Sequence, residues 1–495
     1  MSPPDPSATR PAAGRHAEAR SALAPCGPVV GRREGSAVVF RGVPYARADR
    51  FGPPEPLPPW TEPFDAGRPG AQSPQRAGAL ERLLGGTEIP TAERCHHLDV
   101  YTPGADDTGR PVLVWIHGGA FVNGGGSMPW YHGGALATRG DVVVVSINYR
   151  LGAFGFTGTT NCGLADQVAA LGWVRRNIAA FGGDPDRVTV FGESAGGASV
   201  VALLAVPTAR ELFTGAWAMS PSLTQLRSPD RAEEARRQLL AAAGVESLDE
   251  LAGLPVDAVL DAQAAVLADP ERAITAFAPT VDGCLVPDAI LPAAAADPRP
   301  LAMGTMRDEM LLFNAFDPRV ASLDGVGLRR AFERRFGART DEALIAYHEH
   351  RPDSPPGVVL SAMQTDEAFR VPVRALADAR AAHACPTWVW WFTWATPAFE
   401  GRLGACHGLD IPFAFANLDR TGVEMFTGSS DSRDALVDEF SGSLVRFART
   451  GDPGWAPHDE VHRPTRRFDT TCSTEHDPEP GLRRLWDRER QTCTS

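Results

Sequence analysis

The chain contains no lysine: all 48 basic side chains among its 495 residues are arginine. That absence excludes chemistry built on a side-chain amine, such as a Walker-type phosphate loop, a Schiff-base cofactor site or a Ser-x-x-Lys nucleophile. Paired cysteines are missing too. The eight cysteines are scattered and none forms C-x-x-C, so neither a zinc ribbon nor a thioredoxin-like motif is expected. Apolar runs such as 142–147 fall far short of the ~18 residues that span a bilayer. Positive charge is in deficit, with 61 acidic against 48 basic residues and a net charge of −13. An acidic surface disfavours nucleic acid and anionic membrane as partners, and no protein partner is called for. The N-terminal stretch lacks an apolar signal core, so a cytoplasmic location with reduced thiols is expected.

What is present is a recurring unit: a short apolar run, a Gly-rich turn, then a helical stretch. Val112-Leu113-Val114-Trp115-Ile116 ends at Gly118-Gly119, a second run covers 142–147, and Arg187-Val188-Thr189-Val190-Phe191 ends at Gly192. Helical spacing fills 164–180, 228–268 and 433–448, and further strands are expected at 301–304 and 387–394. Continuous apolar strands alternating with helices predict an α/β fold with a mostly parallel sheet covered on both faces. Residues 1–27 read as a disordered lead-in and 28–495 as one domain with helical insertions.

Gly192-Glu193-Ser194-Ala195-Gly196 matches G-x-S-x-G between a strand and a small-residue helix. A sharp turn there lifts a serine hydroxyl out of the sheet, and the flanking glycines avoid clashes. Upstream, His117-Gly118-Gly119-Ala120-Phe121 follows another strand and could aim backbone N–H groups at an oxyanion. A serine also needs a base and an acid. Among twelve histidines, His407 in Gly404-Ala405-Cys406-His407-Gly408 lies in a small-residue loop after the Trp-rich strand. Arg307-Asp308-Glu309 follows a short strand, and the residues alone leave Asp308 and Glu309 both open as the acid. The order serine, acid, histidine is that of α/β-hydrolases. His96-His97 could form a metal pair, but no nearby ligand spacing supports one.

These motifs resemble the type-B carboxylesterase family, which includes cholinesterases and bacterial para-nitrobenzyl-type esterases. The resemblance runs from Phe40-Arg41-Gly42-Val43-Pro44-Tyr45-Ala46 through Asn148-Tyr149-Arg150 and Gly163-Leu164-Ala165-Asp166-Gln167 to Phe447-Ala448-Arg449-Thr450-Gly451-Asp452-Pro453. It implies an α/β-hydrolase fold and cofactor-free, metal-free hydrolysis of small-molecule carboxylic esters. Ser194 would be the nucleophile, His407 the base and Glu309 the acid, with oxyanion donors at Gly119, Ala120 and Ala195. Ser220 would support the acid, and Glu193 would be a buried structural carboxylate. Met310 replaces the family's usual glycine after the acid, and Cys95 lacks its usual upstream partner, so a free buried thiol is expected. A non-catalytic interaction module that kept this fold is the competing reading, as is a hydrolase of an amide, carbamate or lactone. At least half of Trp388, Trp390, Trp391 and Trp394 should be sheet core, and Phe313 and Phe316 are expected to pack.

Overall fold

The computed structural model describes residues 19–76, 89–269, 276–420 and 422–493. Its centre is a sheet of twelve consecutively paired strands. In chain order they are β1 (Ala19–Ala24), β2 (Gly27–Glu34), β3 (Ala37–Pro44), β4 (His97–Thr102), β5 (Arg110–Ile116) and β6 (Val143–Ile147). They continue as β7 (Gly183–Glu193), β8 (Gly215–Met219), β9 (Leu301–Met306), β10 (Thr387–Phe392), β11 (Pro464–Phe468) and β12 (Ser473–His476). Their spatial order is 1-2-3-4-6-5-7-8-9-10-11-12, and the short strand Phe64–Asp65 pairs beside β2.

From β6 to β11 every pairing is parallel, while β1 to β4 and β12 add antiparallel edges. Composition explains the division. Every residue of β5, β6, β8, β9 and β10 is buried, as parallel strands covered on both faces require. Alternation then divides their side chains. Val112, Val114 and Ile116 enter one core cluster, whereas Leu113 and Trp115 enter the other. The second cluster also takes Trp388, Trp390 and Trp394, so these three tryptophans are core. Trp391 faces the other way, under the Arg370 guanidinium at 4.5 Å.

Helices cover the sheet where the 3.6-residue period places apolar stripes. They include α1 (Cys162–Asn177), α2 (Ala195–Leu204), α3 (Val371–Ala382) and α4 (Asp431–Thr450). Leu436, Phe440, Leu444 and Phe447 of α4 are all buried, with Phe440 and Phe447 edge-on to Trp217.

The sheet starts earlier than residue 28. β1 pairs antiparallel with β2 along its whole length, so residues 19–27 are not a lead-in, and residues 1–18 lie outside the described residues. The sequence conceals this edge strand because its inward residues are only Ala22 and Ala24, too small to mark an apolar face. No described helix is long and apolar enough to cross a membrane.

Candidate active site

The strand order reverses at β5, which has β6 on one side and β7 on the other. Crevices form at the carboxyl ends of strands around such a switch point, and the sequence-predicted residues gather there. β5 ends at Ile116, in register with Gly192 of β7. The His117-Gly118-Gly119 loop therefore lies beside the turn into α2. Ser194 occupies that turn with φ 59° and ψ −120°, a conformation few side chains adopt unless their surroundings hold them there. Its N–H donates to Met219 O at 2.9 Å, and its carbonyl accepts from Ala198.

The glycines are needed because backbones meet here. A Cβ on Gly196 would sit 2.0 Å from Ile116 O, and one on Gly192 would sit 2.6 Å from Gly196 O. A Cβ on Gly118 would come within 3.1 Å of Ser194 Cβ. Gly119 and Ala120 both have positive φ, at 107° and 52°. Among the described residues, the N–H groups of Gly119, Ala120 and Ala195 donate no hydrogen bond. The positive end of the α2 dipole adds to them at the Ser194 turn.

Glu309 and His407 lie on the chain that follows β9 and β10. Glu309 Oε2 lies 2.6 Å from His407 Nδ1, and its Oε1 accepts the Met306 N–H at 2.8 Å. Asp308 has a different task. Its N–H and carboxylate bond to the carbonyl and N–H of Ala405 (2.9 and 3.0 Å), and Arg307 and Arg351 contact the same carboxylate. The Asp-Glu pair thus divides its work: Asp308 clasps the histidine loop and Glu309 meets the imidazole. No residue type or spacing in the sequence distinguishes the two.

The carboxylesterase family model matches residues 18–477. The chain belongs to the carboxylesterase family. This carboxylesterase is 36% identical over 480 residues to the para-nitrobenzyl esterase of Bacillus subtilis, covering 92% of this chain and 95% of that one. It is also 36% identical over 453 residues to a phenmedipham hydrolase of Pseudarthrobacter oxydans, covering 88% and 90%. Among solved structures it resembles a Geobacillus stearothermophilus carboxylesterase, with a TM-score of 0.83, 35% identity and coverage of 94% and 99%. It has the α/β-hydrolase fold and hydrolyses carboxylic esters of small molecules as a serine carboxylesterase.

The electrostatics of the carboxylesterase site hold one arrangement that the sequence did not reveal. Glu193, expected to be structural, places Oε1 3.0 Å from His407 Nε2, although out of line for a hydrogen bond. The imidazole therefore lies between two carboxylates. Burial pushes its pKa down, but Glu193 and Glu309 outweigh that and raise it above the ordinary value. Burial raises Glu193 itself to about 7 against the pull of His407. Asp410, fully buried beside them, is pushed well above the usual carboxylate range by burial and then by Glu193 and Glu309. Neither oxygen of Asp410 has a hydrogen-bond partner among the described residues.

Ser220 is buried with its N–H on Gly304 O, but its hydroxyl makes no hydrogen bond among the described residues, so it does not hold Glu309 directly. Met310, in place of the usual glycine, donates its N–H to Thr365 Oγ1 at 3.1 Å. Phe313 and Phe316 do not simply pack. They are 54% and 51% exposed, and the Phe313 ring lies 5.6 Å from the His407 ring. The short helix Leu311–Asn314 after Glu309 turns Phe313 toward His407 and leaves its other side open. His96 sits 3.0 Å from Asp166, inside the ion pair that Arg150 makes with the same carboxylate. Cys95 is a buried free thiol.

Proposed function

We propose that Ser194, His407 and Glu309 act as nucleophile, base and acid in a two-step acyl transfer. His407 Nε2 takes the proton from Ser194 as Oγ attacks the ester carbonyl. Glu309 fixes the imidazole through Nδ1 and stabilises its cation. The N–H groups of Gly119, Ala120 and Ala195 bind the oxyanion, each worth about 2.7–4 kcal/mol of barrier. Protonated by His407, the alcohol leaves; water activated by the same histidine then releases the acid. In the resting arrangement Nε2 faces Glu193, so a rotation of the imidazole toward Ser194 precedes the first proton transfer. Catalytic hydrogen bonds of this kind commonly align only when substrate is bound.

The observation that carries this reading is the 2.6 Å contact between Glu309 and His407, made at the same sheet end as the strained Ser194 turn. Exposed Phe313 beside the base favours apolar or aryl esters as substrates. Cys26, Cys95, Cys162, Cys284, Cys385, Cys406 and Cys472 are unpaired, which supports a reducing, cytoplasmic setting. The test is Ser194→Ala assayed on a para-nitrophenyl ester: turnover should vanish while the thermal unfolding curve stays in place. Retained turnover in a clean preparation would refute the nucleophile.

A further inference from the structure

The helix that packs over the acid loop contains a widened turn. Pro356–Thr365 and α3 are continuous through a π-helical turn at Asp366–Arg370, where the Val371 N–H reaches back five residues to Asp366 O. The sequence supplies a cause. Pro372 has no N–H to offer the carbonyl four residues earlier, and its ring pushes that carbonyl away, so the preceding turn opens.

The widening changes which residues share a face. In a regular α-helix, positions five apart point about 140° away from each other; in the wider π turn the angle narrows to roughly 50°. Three side chains of this segment consequently meet the catalytic loops together. Thr365 Oγ1 accepts the Met310 N–H at 3.1 Å, and Arg370 Nη2 donates to Arg307 O at 3.3 Å. Between them the Phe369 ring, 6% exposed, lies 4.9 Å from the His407 ring.

We propose that Phe369, aimed by the π turn, is a positioning residue that limits the swing of the His407 imidazole. The inference rests on His407 being the base. Glu309 holds only Nδ1, and the ring can still pivot by turning about its Cα–Cβ and Cβ–Cγ bonds. Phe369 blocks one side of the pivot, so Nε2 is confined to the arc between Glu193 and Ser194. Phe369 acts through the imidazole that its ring contacts.

The test uses the full chain with Phe369→Leu, which keeps bulk and removes the planar face. Phe181→Leu serves as a control in the core before the start of β7, the end opposite Glu193, where Phe181 is buried edge-on to Phe40. Misplacing a catalytic group lowers kcat rather than binding, so Phe369→Leu should cut kcat about tenfold and leave KM within about twofold. The control should lower Tm with kcat unchanged. Wild-type kcat in Phe369→Leu, or an equal loss in Phe181→Leu, overturns the positioning role. His407→Ala separates the two readings: if it stays active the base assignment fails, whereas an inactive His407→Ala beside a fully active Phe369→Leu defeats only the positioning role.

Discussion

Glu193→Gln tests the electrostatics of the site most directly. Glu193 Oε1 lies 3.0 Å from His407 Nε2 in a buried setting. At an effective dielectric of about 20, a full charge at that distance stabilises the imidazolium by about 5.5 kcal/mol. One pKa unit corresponds to about 1.36 kcal/mol, so the ceiling is near four units. Two features reduce it: the carboxyl is itself raised to about 7 and so is only partly ionised near neutrality, and its contact is out of line. A downward shift of about 1–2 units in the imidazole remains.

The sign follows from the role. A base must be neutral to take the Ser194 proton, so kcat/KM falls as pH drops through the imidazole pKa. Removing the Glu193 charge lowers that value and moves the acid limb to lower pH. The profile is read as kcat/KM for a para-nitrophenyl ester, followed at an isosbestic wavelength from the acid into the alkaline range, because the wild-type imidazole is raised to about 9. An acid limb that stays in place or moves to higher pH would refute the argument that Glu193 holds the cation.

Two further outcomes follow from the same structure. Phe313→Ala should raise KM for aryl esters about tenfold through loss of roughly 1.5 kcal/mol of apolar contact, with Tm unchanged because the ring is exposed; an unaltered KM across a panel of aryl and alkyl esters would remove Phe313 from the substrate path. Asp166→Asn should cost about 3–5 kcal/mol in urea unfolding, because Arg150 would be left buried without its carboxylate. For Asp166, burial is outweighed by His96 and Arg150, which hold the carboxyl down at about 2. Its contribution to wild-type stability is complete above about pH 4 and fades as pH falls toward 2, so the gap between the two proteins should narrow in acid.

The chain's local patterns determined the frame. Continuous apolar runs ending in glycines marked the parallel strands, and α4 was legible from Leu436, Phe440, Leu444 and Phe447. Gly192 and Gly196 identified the Ser194 turn because only a residue without Cβ fits where backbones cross, a constraint that acts within a few residues and therefore leaves a local trace. The edge strand β1 was missed because Ala22 and Ala24 bury too little to show a period. The division between Asp308 and Glu309, the approach of Glu193 to His407, the exposure of Phe313 and the aim of Phe369 were all decided by tertiary structure. Each depends on where one segment falls against another between 38 and 214 positions away. Charge and hydrogen bonding act through space over a few ångströms, and spacing along the chain carries no record of which distant groups will come that close.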